Sequence, residues 1–272
     1  MRSSVVLAIA ALAGCYVDDR PASLVLCHNA NCVEPHQVSR DDTVAALRAS
    51  LALTGADGHP LLDGIELDLF RHEGRCLFAH DVDHLEDHVE ITEAAAIVAE
   101  YLRTHSPASH NGEQFTVKLE LKPQVDSARD TDNQISCALD AHQILRDAAY
   151  DSGQRVEVVF DSYNPAVLRA IAPRRPPDAE LISAKLSVDF GVPPPLRIDN
   201  YDLDKLDVDV DIAEIHGGWI TDTARRALQS IGVELSVWSF DLTRETLDAI
   251  DNLSPRYALT GQAQTLRAWL DR

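Results

Sequence analysis

Two short segments carry acidic and basic side chains at a spacing of two. In Gly64-Ile65-Glu66-Leu67-Asp68-Leu69 and Val117-Lys118-Leu119-Glu120-Leu121-Lys122, polar residues alternate with apolar ones. An extended strand sends successive side chains to opposite faces, so Glu66 and Asp68 share one face, as do Lys118, Glu120 and Lys122. If the apolar face meets a layer of helices, the carboxylates point inward, and buried like charges are costly unless a cation or protons neutralise them. Glu66, Asp68 and Glu120 are therefore candidate ligands for one hard divalent cation, Mg²⁺ or Ca²⁺, with water and substrate oxygens completing its shell. Two histidines end strand-like runs: His28 follows Leu24-Val25-Leu26-Cys27, and His80 closes Arg75 to His80 just before Asp81. Histidine exchanges protons near neutral pH, and a pair can serve as general base and general acid on opposite sides of a phosphate. Lys122 is placed to add positive charge, and Trp238 is a candidate wall for the alcohol portion of a substrate.

The elements that must position these groups follow a regular rhythm. Strand-like runs at Leu24–Cys27, Ile65–Phe70, Phe115–Leu121, Val156–Phe160, Ala179–Leu186, Ile212–His216, Glu234–Trp238 and Arg256–Thr260 are mostly separated by helix-length segments. Examples are Asp42–Leu53, Asn133–Tyr150, Pro165–Ile171, Thr221–Ile231 and Arg244–Ile250. Eight βα units in about 250 residues predict an α/β protein with a (β/α)₈ TIM barrel. Only Arg71-His72-Glu73-Gly74 separates the second strand from Arg75–His80, too short a link for a parallel crossover, so a hairpin excursion is expected there. Val192 to Leu196 reads as a loop near the active face. The acidic, histidine-rich run Asp81–Glu90 reads as a solvated face, as does the alternation Asp207 to Asp211. His36, His59, His72, His84, His88, His105, His110 and His142 read as surface or loop residues.

The chain has 272 residues, 45% of them hydrophobic and 25% charged, which argues against a disordered or polytopic membrane protein. A formal net charge of −20 makes nucleic acid an unsuitable partner and a metal cation a suitable one. Met1 to Ser4 and the apolar run Val5–Ala13 form a leader too short to span a bilayer, ending in Leu12-Ala13-Gly14-Cys15. That ending resembles the lipobox of bacterial lipoproteins. The resemblance implies lipidation of Cys15, removal of the preceding residues, a tether over 16–22 and a folded domain over 23–272. The protein is then expected to be exported and anchored to a bacterial membrane, periplasmic or at the cell surface. In an oxidising compartment, Cys27, Cys32, Cys76 and Cys137 can form two disulfides in three connectivities. A Cys27–Cys32 loop would brace the strand end that carries His28. No Cys-x-x-Cys spacing supports a zinc site.

In order and spacing, these segments resemble the glycerophosphodiester phosphodiesterase family of the phospholipase C-like phosphodiesterases. That family begins with a His-Arg-Gly strand end and continues with Glu-x-Asp, His-Asp and Glu-x-Lys. The matches here are His28, Glu66 with Asp68, His80 with Asp81, and Glu120 with Lys122; Asp161-Ser162-Tyr163 and Val237-Trp238-Ser239 are similar to later strand ends. The resemblance spans nearly all of the chain from Leu24 onward. It implies a metal-dependent phosphodiester hydrolase with His28 and His80 as the acid–base pair. Its substrates would be small-molecule or lipid phosphodiesters. The family's arginine and glycine after the first histidine are Asn29 and Ala30 here, and its last strand ends Thr-Asp where this chain has Thr260-Gly261. A His-Asn strand end looks more like the phosphoinositide-specific phospholipases C, and the spider-venom phospholipases D share the barrel. Asn29 is accordingly a candidate substrate-binding residue, through its carbonyl to a metal or its amide to a phosphate. Two other readings stay open: a lipid-cleaving phospholipase C- or sphingomyelinase D-like enzyme, and an inactive barrel acting as a surface binding lipoprotein.

Overall fold

A computed structural model describes residues 23–35, 37–81, 88–122, 128–176, 181–185, 209–239 and 241–272. The apolar leader with Cys15, the tether to Ala22, His36, His84 and the loop Val192–Leu196 lie outside the described residues, as do Asp207 and Val208.

Among the described residues, nine strands form one sheet: β1 (Leu24–Cys27), β2 (Gly64–His72), β3 (Arg75–Phe78), β4 (Phe115–Leu121), β5 (Val156–Ser162), β6 (Leu181–Lys185), β7 (Ile212–His216), β8 (Glu234–Ser239) and β9 (Tyr257–Thr260). All pairings are parallel except β2 with β3, and β1 pairs with both β9 and β2, so the parallel set curls into a TIM-barrel-like sheet. Helices α1 (Val44–Leu51), α2 (Ile91–Thr104), α3 (Ala128–Ser152), α4 (Pro165–Ile171), α5 (Asp222–Ser230), α6 (Arg244–Leu253) and α7 (Ala263–Leu270) pack outside it. Two of these, α2 and α7, add to the helix-length segments expected from sequence. The main core lies between helices and strand backs, where Val25, Ile65, Leu67, Val117, Leu119, Val158 and Phe160 meet residues such as Ala94, Val98 and Leu145. Among the described residues, a separate small apolar cluster lies in the barrel interior: Leu26, Val159, Ile212, Trp238, Tyr257 and Leu259. His142, read from sequence as a surface or loop residue, is instead buried in α3 with its ring 5.9 Å from Phe160.

Register fixes the rungs of the site. Glu66 stands opposite Lys118, Asp68 opposite Glu120, and Glu120 opposite Asp161. Gly64 is required at the start of β2 because a Cβ there would lie 2.2 Å from the Thr116 carbonyl oxygen. Two disulfides form, Cys27–Cys32 and Cys76–Cys137; the second ties β3 to α3.

Candidate active site

Beyond β1 the chain enters a short 3₁₀ turn, His28–Ala30, in which Asn29 (φ 49°) and Ala30 (φ 52°) are left-handed. Asparagine tolerates that region, whereas for alanine it costs about 1–2 kcal/mol. Several contacts hold the turn. The Cys27–Cys32 disulfide spans it, the Ser50 hydroxyl donates to the Ala30 carbonyl at 2.9 Å, and the Cys32 amide donates to Ser50 Oγ at 2.8 Å. The following segment packs against Gly261, where a Cβ would come 2.6 Å from Pro35 Cβ. Glycine at this position thus makes room for the loop.

The turn delivers three groups to the acidic rungs. His28 Nε2 lies 3.6 Å from Glu66 Oε2, and the Asn29 amide donates to the same oxygen at 3.2 Å. The Asn29 side-chain Nδ2 donates to Asp41 Oδ2 at 3.2 Å, and Asn31 Nδ2 holds the other Asp41 oxygen at 2.9 Å. With its NH₂ so engaged, Asn29 turns its Oδ1 away; that oxygen is buried and has no hydrogen-bond partner among the described residues. The His28 ring stacks on Trp238 at 5.8 Å, and Trp238 in turn meets the His216 ring edge-on at 4.6 Å.

Asp68 and Glu120 are drawn together by Lys122, whose Nζ is 2.7 Å from Asp68 Oδ2 and 2.9 Å from Glu120 Oε1. Burial, opposed by Lys122 and reinforced by Glu120 and Glu66, pushes the Asp68 carboxyl up to about 6. Asp42, buried beside it at a left-handed φ of 55°, is raised well above the usual carboxylate range by burial and then by the Asp68 charge. The Asp68 charge so close by favours the neutral form of Asp42. His80 lies close enough to Asp68 to lower its pKa, and its Nδ1 is 3.2 Å from Asp81 Oδ2. Asp81 therefore accepts from Nδ1–H and leaves Nε2 as the basic nitrogen of the neutral ring. The His28 side chain is 7% exposed and that of His80 41%, so one histidine sits in the barrel and the other at its edge.

One rung lower, Lys118 is fully buried with its Nζ 3.0 Å from Asp161 Oδ2, 3.8 Å from Glu66 Oε1 and paired with Glu214, which also accepts from Ser236 Oγ at 3.0 Å. Glu66, Glu120 and Asp161 present carboxylate oxygens within 4.8 Å of one another, a spacing that could hold a metal ion. Asp42, Glu214 and His216 are additions to the residues singled out from sequence, and Asp161, noted there only within a strand-end motif, takes a place in the site. On β5 and β7, Asp161, Glu214 and His216 take inward positions, but apolar residues on both faces of these strands leave no clean alternation to mark them. Nothing local marks Asp42, which enters through a turn.

The donor set suits a hard divalent cation. Besides Asp42, five buried carboxyl groups (Glu66, Asp68, Glu120, Asp161 and Glu214) face two buried ammonium groups, Lys118 and Lys122, among the described side chains. The Asn29 Oδ1 adds a neutral acceptor aimed away from its own anchor. All are oxygen ligands of the kind Mg²⁺ and Ca²⁺ take.

No family profile and no curated protein sequence matches the chain. Its fold, however, is one shared by phosphodiesterases of the phospholipase C-like type. A phosphodiesterase from Oleispira antarctica, solved with the product sn-glycerol-3-phosphate, superposes with a TM-score of 0.61 at 14% identity, covering 92% of this chain and 98% of that one. A glycerophosphodiester phosphodiesterase from Parabacteroides distasonis gives 0.61 at 11% identity, covering 93% and 98%. A calcium-dependent phosphoinositol-specific phospholipase C from a Pseudomonas species gives 0.55 at 12% identity, covering 89% of each chain.

Proposed function

We propose that this chain is a cation-dependent phosphodiester hydrolase of the glycerophosphodiester phosphodiesterase type, on a (β/α)₈ barrel whose β2–β3 hairpin carries His80 to the rim. The observation that carries this reading is the excess, among the described residues, of buried carboxyl groups over buried ammonium groups, flanked by His28 and His80, with an Asn29 oxygen that lacks a hydrogen-bond partner among those residues. Glu66, Asp68, Glu120 and the Asn29 oxygen would hold the ion. Bound there, Mg²⁺ or Ca²⁺ would neutralise charge building on the phosphate oxygens. Lys122 keeps Asp68 and Glu120 in register and places a positive charge beside the phosphate. One histidine takes the proton of the attacking hydroxyl and the other protonates the departing alkoxide. His28, stacked on Trp238, is held in one orientation, and Asp81 fixes the tautomer of His80. Trp238 walls the alcohol side.

The substrate class is a glycerophosphodiester or a related lipid head group. The Asn29 side chain favours a second reading within the same chemistry, a lipid-cleaving phospholipase C- or D-like enzyme that uses a neighbouring substrate hydroxyl as nucleophile. The experiment that tests both is a hydrolysis screen of the purified protein with glycerophosphocholine, lysophosphatidylcholine, sphingomyelin and phosphatidylinositol, with and without EDTA. Glycerol phosphate as product supports the first reading, and a cyclic phosphate supports the second. Absence of turnover on every substrate would leave the surface binding lipoprotein. For location, we propose lipid attachment at Cys15; an exported protein whose N-terminus is unmodified by mass spectrometry would exclude it.

A further inference from the structure

We propose that Lys118 is a tethered cation: its ammonium permanently occupies the lower half of the acidic site, so the barrel takes up one divalent ion fewer than its carboxylates could hold. This rests on the proposed hydrolase reading only for where the upper ion sits. The five carboxyl groups divide between two ammonium groups, Lys122 and Lys118. Asp68 and Glu120 are gathered by Lys122 near the strand ends. Asp161, Glu214 and one oxygen of Glu66 surround the Lys118 ammonium, at 3.0 Å from Asp161 and 3.8 Å from Glu66. Glu66 joins the two levels, with Oε1 on Lys118 and Oε2 toward His28 and the Asn29 amide.

A lysine carried by a central strand differs from an ion in solution in two ways. Its cost of localisation is already met when the barrel folds, so the lower level is neutralised at any cation concentration. Its stem also fixes where the positive charge stands, which orients Glu66 and turns the second oxygen of that residue toward His28 and the Asn29 amide. A fully buried ammonium is tolerated only when it is paired and hydrogen-bonded, and the three carboxylates from β2, β5 and β7 meet that need. Lys118 is thus a positioning residue, acting through Glu66.

The test counts ions rather than turnover. The full chain, its Lys118→Met and Lys118→Gln variants and its Lys118→Arg variant are dialysed to equilibrium against Mn²⁺ across a concentration series, and bound metal per chain is measured. Each neutral variant is expected to bind one more Mn²⁺ than the unchanged protein, and to gain more in melting temperature between EDTA and Mn²⁺. Lys118→Arg should keep the original stoichiometry. A neutral variant that is folded only when Mn²⁺ is present supports the same conclusion. No additional ion in either neutral variant, or an additional ion in Lys118→Arg as well, overturns the proposal. Because the readout is a difference, it is distinct from the hydrolase reading, which fails if the unchanged protein binds no ion at all.

Discussion

The two ends of the barrel both gather charge, partly exposed at the strand starts and buried at the strand ends, and they neutralise it differently. At the strand starts, Glu157 accepts from Gln114 Nε2 at 3.1 Å and Thr116 Oγ1 at 3.4 Å, and is paired with Arg256 and the Tyr257 hydroxyl. Arg256 also reaches Glu234. Donors and acceptors there match one another, and burial followed by the Glu157 charge holds the Tyr257 phenol well above its usual range, so it stays a neutral donor. At the strand ends, carboxyl groups outnumber ammonium groups and a buried amide oxygen lacks a partner among the described residues. A matched buried network specifies and stiffens a fold, whereas an unmatched one is destabilising and has to be completed by something bound. Parallel barrels place chemistry at the C-terminal strand ends, and here the imbalance of charge falls on that side.

The largest effect separating the two ends should come from the histidines. Replacing His28 or His80 with Ala is expected to lower turnover about 10²–10⁴-fold, the usual contribution of a positioned acid or base. The double variant should lose much less than the product of the single losses, since groups acting as a unit are not additive. A substrate with a p-nitrophenol leaving group needs little protonation, so it should restore activity to whichever variant lacks the acid and to that one alone. Rescue of neither, or near-normal turnover in both, would remove the pair from the mechanism. Next in size is Glu66→Gln, which keeps volume but removes charge at the residue joining the two acidic levels. Turnover should fall about 10²–10³-fold, the range seen when one electrostatic contact to the transition state is lost. Calorimetry should show weakened cation binding; an unchanged isotherm would place the ion elsewhere.

How far sequence alone reaches differs along the barrel for physical reasons. β2 and β4 are legible because strict alternation sorts their charged and apolar residues onto separate faces, so the inward positions of Glu66, Asp68, Lys118 and Glu120 follow from period alone. β5 reads Val-Glu-Val-Val-Phe-Asp-Ser, apolar on both faces at Val158 and Val159, which hides Asp161. Glu214 and His216 are masked in the same way by Ile212 on their own face. Asp42 is beyond such reasoning, since a left-handed turn rather than a strand brings it to Asp68. The four cysteines invite two disulfides, but only the fold pairs β3 with α3 through Cys76 and Cys137.

A smaller effect, opposite in kind, is expected at the strand starts. Glu157→Gln removes the charge that Arg256 and the Tyr257 hydroxyl share, leaving a buried phenol with a weaker acceptor. Disturbing a buried polar partner of this sort costs about 1–3 kcal/mol. The protein should melt earlier, by about 2–4 °C for each kcal/mol in a chain of this size, while kcat and cation affinity stay as they were. Loss of activity in proportion to loss of stability is not expected. If cation affinity fell along with melting temperature, the two ends could not be treated as separate networks.

The smallest effect is a pH dependence whose sign differs from that of ordinary acid denaturation. Burial raises the Asp68 carboxyl from 3.8 to about 6, and Asp42 is raised as well. Between those values the folded protein binds more protons than the unfolded chain, so stability falls as pH rises. The contribution of Asp68 is fully present below about pH 4 and is lost as pH passes through about 6. A divalent cation competes for the deprotonated carboxylates and stabilises the folded state more as pH rises, which opposes that loss. Melting temperatures in EDTA from pH 4.5 to 7.5, taken as the difference between the unchanged protein and Asp68→Asn, isolate the effect from other carboxylates. The unchanged protein should lose stability relative to Asp68→Asn as pH rises, and excess Ca²⁺ or Mg²⁺ should flatten or reverse the difference. Glu157→Gln should show the same slope as the unchanged protein, because its network does not include the raised acids. A slope that survives in Asp68→Asn, or disappears in Glu157→Gln, would mean that the pH response does not originate at the strand ends.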